Sequence, residues 1–201
     1  METKETPVVN LPLSGIRVAA FTQYLLGPTV ASYLADMGAD VVTIEPVTGT
    51  WERHWSGGGT LSDEGSIFHC MTHRNMRSLA VDLKSDGGRQ VAHRLIEDAD
   101  VLVENFRPGV MDRLGLGYDQ LRESSPGLIY ASCSGWGEDG PYKLEPGQDL
   151  LLQCFSGLAS ISGQAGGPPV PVGAPVVDQH GATLLCLGVL AALVQRSRTK
   201  H

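Results

Sequence analysis

The chain is poor in several features that would place it in well-defined protein classes. It holds four cysteines in 201 residues, Cys70, Cys133, Cys154 and Cys186, with no C-x-x-C pair. That spacing excludes a disulfide framework and predicts reduced, mostly buried thiols. Continuous apolar runs are short. The longest, over 182–194, is interrupted by Gly188 and falls below the roughly 18 residues of a membrane span, so it predicts a buried or interface helix. The opening METKETPVVN lacks an apolar signal core, which points to a cytoplasmic chain. Positive charge is scarce: 15 Lys and Arg stand against 22 Asp and Glu, for a net charge of −7. Binding to nucleic acid or to a membrane surface is therefore not expected. Three motifs are also missing. No G-x-G-x-x-G follows the first strand, which speaks against a dinucleotide fold's phosphate turn. No H-E-x-x-H or third ligand accompanies His69 and His73, so no metal site is predicted. No G-x-S-x-G surrounds Ser134, which removes the nucleophile-elbow hydrolases.

What is present is enough apolar material for a packed core, 42% of the chain. The pattern alternates short apolar strands with amphipathic helices. GIRVAAF (15–21) reads as a buried strand, and 28–38 as a helix stopped by Gly38. ADVVTIEP (39–46) reads as a second strand, so this is a parallel βαβ unit. Residues 47–66, rich in glycine and carrying Trp51 and Trp55, read as an irregular, partly mobile excursion. Further strands are predicted at 78–83, 100–106 and 128–137. Helices are predicted after Ser85 or Asp86 and over 150–162, and a long apolar one from about 179. The expected architecture is α/β: a Rossmann-like open, mostly parallel sheet flanked by helices. Residues 1–14 read as a flexible leader and 15–201 as one domain.

Among the polar residues, Glu45 ends the second strand, where a solvated acid is the ordinary reading. Asp178 stands out because it follows the extended run V-G-A-P-V-V and precedes the long apolar helix. It fits a structural N-cap. It fits equally a reactive carboxylate, since the helix N-terminus favours its ionised form and offers N–H groups to an oxyanion. Local physics leaves both readings open.

Several blocks occur in a telling order: L-S-G-I-R-V (13–18), G-P (27–28), L-x-D-M-G-A-D-V-V-T-I-E-P (34–46), N-M-R-S-L-A-V-D-L-K (75–84), A-D-V-L-V-E-N-F-R-P-G-V-M-D-R-L-G-L (99–116), L-I-Y-A-S-C-S-G-W-G (128–137), G-Q-D-L-L-L-Q-x-x-S-G-L (147–158) and V-G-A-P-V-V-D (172–178). Together they resemble the class III CoA-transferases, the group that includes formyl-CoA and carnitine CoA-transferases and has α-methylacyl-CoA racemase as a relative. The resemblance implies CoA exchange between an acyl-CoA and a free carboxylic acid. It implies Asp178 as nucleophile, forming an aspartyl mixed anhydride and then an aspartyl-CoA thioester. It implies CoA contacts at Val81, Leu83, Lys84, Asn105, Phe106, Val110 and Arg113, with no metal and no tightly bound cofactor. It also implies an interlocked homodimer.

The chain departs from formyl-CoA transferases at two places. Leu25 stands where they carry glutamine, and Pro46 follows Glu45 where they carry arginine. Both departures point away from formate and oxalate toward a larger or less polar acyl group. Gln148 replaces the histidine that a racemase uses as one of its two bases, and an amide is no base near neutral pH. Asp149 beside it reads either as a second acid at the site or as a helix cap. A non-catalytic CoA-binding module remains an alternative. Family members run to about twice this length with a second small domain, so the resemblance predicts an N-terminal portion with incomplete activity.

Overall fold

The computed structural model describes residues 10–55, 61, 62 and 65–199. Among these residues, five parallel strands form the main sheet: β1 (Arg17–Phe21), β2 (Asp40–Glu45), β5 (Arg77–Ala80), β6 (Val101–Glu104) and β7 (Ile129–Ser132), in the order β5-β2-β1-β6-β7. A small antiparallel pair, β3 (Leu61–Ser62) and β4 (Gly65–Ser66), lies outside it. The helices are α1 (Leu26–Asp36), α2 (Ile67–Thr72), α3 (Asp86–Glu97), α4 (Val110–Arg113), α5 (Tyr118–Leu121), α6 (Asp149–Phe155), α7 (Leu158–Ile161) and α8 (Val176–Thr199).

The central strands β1 and β6 sit in the middle of the molecule because both of their faces are apolar. In β1, Val18 and Ala20 face one core, built with Val30 and Leu34 of α1 and Ala182, Cys186 and Val189 of α8. The alternate residues Ala19 and Phe21 face a second core with Ala92 and Ile96 of α3 and Met111 and Leu116. One sheet face thus carries α1 and α8, and the other carries α3 and α4. From β1 the chain builds outward to β2 and β5, then returns to the other side of β1 for β6 and β7. The loops after β1 and β6 therefore part at the sheet's carboxyl edge, where open α/β sheets bind ligands.

Several expectations need correction. Residues 10–14 are not loose: Leu13 is buried and its N–H donates to the Met37 carbonyl at 2.9 Å. Residues 1–9, and 56–60, 63 and 64 of the glycine-rich excursion, lie outside the described set. The helix expected over 150–162 is two helices, broken where Gly157 takes φ +82°, a left-handed conformation open to glycine at little cost. The thiols are free but mostly not buried: only Cys186 is buried, Cys133 is half-buried, and Cys70 and Cys154 are exposed. Apolar neighbours in sequence do not imply burial when the helix turns that residue outward. Helix α8 runs 24 residues and, by length and composition alone, is long and apolar enough to cross a membrane. A continuous-run count misses this, because Thr183 and Gly188 interrupt the run without lowering the helix's average much. In this fold α8 lays Ala182, Cys186 and Val189 into the core beside α1.

Candidate functional site

The carboxyl edge of the sheet meets the start of α8. The chain bends at Gly173 and Ala174 just before α8, and Pro175 supplies the carbonyl that accepts the Gln179 N–H at 3.0 Å. The helix therefore begins at Val176, three residues earlier than the sequence suggests, and Asp178 is its third residue. Asp178 is not the cap. That role belongs to Asp149, whose Oδ1 accepts the N–H groups of Val177 at 2.7 Å and Asp178 at 3.1 Å. A carboxylate from a neighbouring helix thus satisfies two of the orphan donors of α8. The Asp178 carboxylate takes no hydrogen bond or ion pair among the described residues. Its burial, with the negative charge of Asp149 added, raises its pKa from 3.8 to about 6.

Asp149 is itself held. Its Oδ2 accepts from Gln153 Nε2 at 2.5 Å, one helical turn on. Gln153, only 1% exposed, also donates to the Ala174 carbonyl at 3.1 Å and accepts the Val172 N–H at 2.8 Å. One buried amide therefore ties α6 to the proline- and glycine-rich approach to α8. Sequence reasoning passed over Gln153. The available signal was its i, i+4 spacing from Asp149 inside G-Q-D-L-L-L-Q.

A second set of contacts fixes the loop after β1. Asn105, just past β6, pairs its side-chain amide with the backbone of Gln23. Its Oδ1 accepts the Gln23 N–H and its Nδ2 donates to the Gln23 carbonyl, both at 2.9 Å. Gly27 makes the fit possible, since a Cβ there would lie 2.5 Å from Asn105 Oδ1 and 2.8 Å from Thr22 Cβ. The following residues reach α8, where a Cβ on Gly181 would meet Leu26 Cδ1 at 2.9 Å. Gly181 lies one turn beyond Asp178, so the end of the β1–α1 loop, where α1 begins, packs against the first turns of α8. Leu25 is buried in that loop. The half-buried Cys133, after β7, has its thiol pushed up by burial first, with Glu104 and Asp178 adding to the shift.

The remaining sequence-predicted residues fall into two groups. Val81, Leu83 and Phe106 join the core on the α3 face. Val110 opens α4 and is half-buried, whereas Lys84 and Arg113 are exposed. Gln148 is exposed immediately before α6 and makes no side-chain cap. Glu45 is not solvated as its strand-end position suggested. It is buried, and although burial alone would raise its pKa, hydrogen bonds from Arg53, Ser78 and the Thr50 N–H hold it at about 2. Arg53 grips it through Nε and Nη2, which donate to its two oxygens at 2.6 Å each. His69 and His73 stack with ring centroids 4.0 Å apart. No cluster of three or more His, Cys, Asp or Glu fit to hold a metal occurs among the described residues.

Comparison with known proteins gives one answer at the level of sequence and fold. The sequence model of CoA-transferase family III matches residues 13–201. An acyl-CoA transferase of Fusarium pseudograminearum is 42% identical over 193 residues, covering 92% of this chain and 42% of the relative. A formyl-CoA:oxalate CoA-transferase of Rhodopseudomonas palustris is 40% identical, covering 93% and 44%. A CAIB/BAIF family protein from Brucella suis superposes with a TM-score of 0.90 at 32% identity, covering 95% of this chain and 51% of that one. The chain spans less than half the length of these two curated relatives.

Proposed function

The chain belongs to CoA-transferase family III, and from that premise we propose that the protein exchanges coenzyme A between an acyl-CoA and a free carboxylic acid through covalent intermediates on Asp178. The observation that carries this reading is the Asp178 carboxylate. It lies half-buried on the first turn of α8, free of hydrogen bonds among the described residues, while Asp149 does the capping. With a pKa of about 6 it is mostly ionised at neutral pH, and more basic and nucleophilic than an ordinary aspartate.

The chemistry balances as four acyl transfers. A carboxylate oxygen of Asp178 attacks the thioester carbonyl, the C–S bond breaks, and CoA thiolate leaves an aspartyl–acyl anhydride. The thiolate then attacks the aspartyl carbonyl of that anhydride, releasing the first acid as its carboxylate and leaving an aspartyl-CoA thioester. The acceptor carboxylate attacks this thioester and expels the thiolate, forming a second anhydride. The thiolate finally attacks the acceptor's carbonyl, and Asp178 is released as a carboxylate. The anhydride survives only where water is kept out.

CoA is assigned to the opposite side of the carboxyl edge from α8. The half-buried Leu83 and Phe106, packed over the buried Val81, offer apolar surface for the adenine, and the half-buried Val110 opens α4. Lys84 and Arg113 are exposed cations suited to phosphates. Asn105 acts mainly through its grip on Gln23. The buried Leu25, next to the Leu26 that packs on Gly181 one turn past Asp178, supports an acyl group larger or less polar than formyl or oxalyl. A cytoplasmic, interlocked homodimer completes the reading.

The test is direct. The protein incubated with acyl-CoA is expected to carry a hydroxylamine-sensitive adduct on the peptide containing Asp178, seen by mass spectrometry. Transfer that survives Asp178→Ala, with no adduct on wild type, would remove Asp178 from the mechanism.

A further inference from the structure

The stretch after β2 arranges its side chains against the usual partition, with acids inside and aromatic rings outside. Glu52 is wholly buried, and its Oε1 accepts the Tyr24 N–H. Its Oε2 has no partner among the described residues. Arg53 is tied inward to Glu45. Between these anchors the rings are displayed: Tyr24 is 45% exposed, Trp51 50% and Trp55 39%. They form a continuous run. Tyr24 and Trp51 lie 5.2 Å apart, Trp51 stacks on Trp55 at 5.0 Å and 22°, and Phe68 closes the run edge-on at 5.1 Å.

Tyr24 holds φ +62°, a left-handed conformation costly for a bulky residue. It is fixed from both sides, by the Asn105 clamp on Gln23 and by Glu52 on its own N–H. Exposed aromatic surface on a pre-set backbone is the arrangement expected where a flat group docks. Two sources could supply that group, the adenine of CoA or the acyl chain. Placement decides between them. The run starts two residues before Leu26, the first residue of α1, whose side chain packs on Gly181 of α8 one turn beyond Asp178. It is joined through α2 to α1, where the Ser32 hydroxyl donates to the Thr72 carbonyl. Helix α1 shares its face of the sheet with α8, the helix that carries Asp178, whereas Val81, Leu83 and Phe106 belong to the other face.

We propose that Tyr24 and Trp51 form a shelf for the flat, apolar side group of the acid whose acyl carbon is carried by Asp178, so that the preferred substrates are aryl-substituted carboxylic acids and their CoA thioesters. This rests on the transferase reading above.

Calorimetric titration of the protein with free CoA, butanoyl-CoA and 3-phenylpropanoyl-CoA, in the absence of acceptor acid, tests it. The aryl thioester is expected to bind at least about fivefold more tightly than the alkyl one, the advantage of a ring contact. Trp51→Ala and Tyr24→Ala are each expected to bring that ratio toward one while free CoA binds as before. Trp51→Phe, which keeps a ring, is expected to retain most of the preference, and circular dichroism checks that each variant folds. A wild-type ratio near one overturns the shelf. So does a ratio unchanged in both alanine variants, or a Trp51→Ala loss shared equally by free CoA, which would hand the rings to adenine. Absence of all CoA binding would defeat the transferase reading instead. The free acids 3-phenylpropanoate and butanoate then decide the shelf alone by the same comparison of wild type with Trp51→Ala.

Discussion

Asp149 accepts the backbone N–H of Asp178 at 3.1 Å, so one acid caps the helix on which the other is displayed. The pair divides two roles, cap and free carboxylate, that the sequence had left open for each of them. It also makes each residue's behaviour measurable through the other.

The raised pKa of Asp178 means that ionising it costs folding free energy. Its folded value, about 6, lies above the ordinary aspartate value of 3.8. The folded state therefore holds the proton more tightly between those pH values. The destabilisation is absent below about pH 4 and fully imposed above about pH 6. Asp178→Asn is accordingly expected to stabilise the chain by about 1 kcal/mol at pH 7.5, after allowing for solvent screening. It should change little at pH 3.5. Urea unfolding at the two pH values checks this, and transfer activity should be lost in the same variant.

Removing the charge at Asp149 while keeping an acceptor separates its two effects. Asp149→Asn still offers an oxygen to the Val177 and Asp178 N–H groups, but no longer opposes ionisation of Asp178. The midpoint of the rising limb of the pH–rate profile is expected to move below about pH 6. Asp149→Ala loses the cap as well, and about 1 kcal/mol of stability with it.

Gln153 is a structural keystone for the approach to α8. Gln153→Leu keeps the bulk but orphans the Val172 N–H and the Ala174 carbonyl. A loss of roughly 2 kcal/mol is expected, read by denaturant unfolding. Amide exchange should accelerate at Val172 before it does in β1.

Gly27→Ala drives a methyl group into Asn105 and Thr22. The expected result is a broken Gln23–Asn105 clamp, a displaced β1–α1 loop, and a substrate KM that rises more than Tm falls. A crystal structure of the variant with the clamp intact would contradict that account.

His73 sets an acid limit that is independent of the site. Its ring is half-buried against His69, its Nε2 has no partner among the described residues, and its Nδ1 lies 2.9 Å from Thr72 Oγ1. Burial, with the His69 ring and Arg53 adding and Glu45 opposing, lowers its pKa from 6.5 to about 4. The unfolded chain therefore takes up this proton first as pH falls. Stability is full above pH 6.5 and is lost on descending toward about pH 4. His73→Asn is expected to flatten stability across that window by roughly 1–2 kcal/mol. The loss due to Glu45, held at about 2, comes at lower pH, below 4.5.

Much of this architecture could be read along the chain. The apolar periods of β1, β2 and β6, the Ser85 cap of α3 and the block around Asn105 place the strands, the helices and the family. These signals are local: a strand buried on both faces is continuously apolar wherever it lies, and a cap stands three residues from the N–H it accepts. Element ends were less legible. The start of α8 depended on a carboxylate from another helix.

Amino-acid order alone was sufficient for the α/β class, the parallel sheet and the singling out of Asp178. The three-dimensional packing settled the rest: that Asp149 and not Asp178 caps α8, that Asn105 holds Gln23, that Glu45 is buried with Arg53, and that Tyr24, Trp51 and Trp55 share one exposed face. The cause lies in chain separation. Asp149 and Asp178 are 29 positions apart, Tyr24 and Glu52 are 28, and Gln23 and Asn105 are 82. Such pairs meet only once the sheet order has brought distant loops to a common edge, and no residue-by-residue preference encodes which oxygen will be free when they arrive.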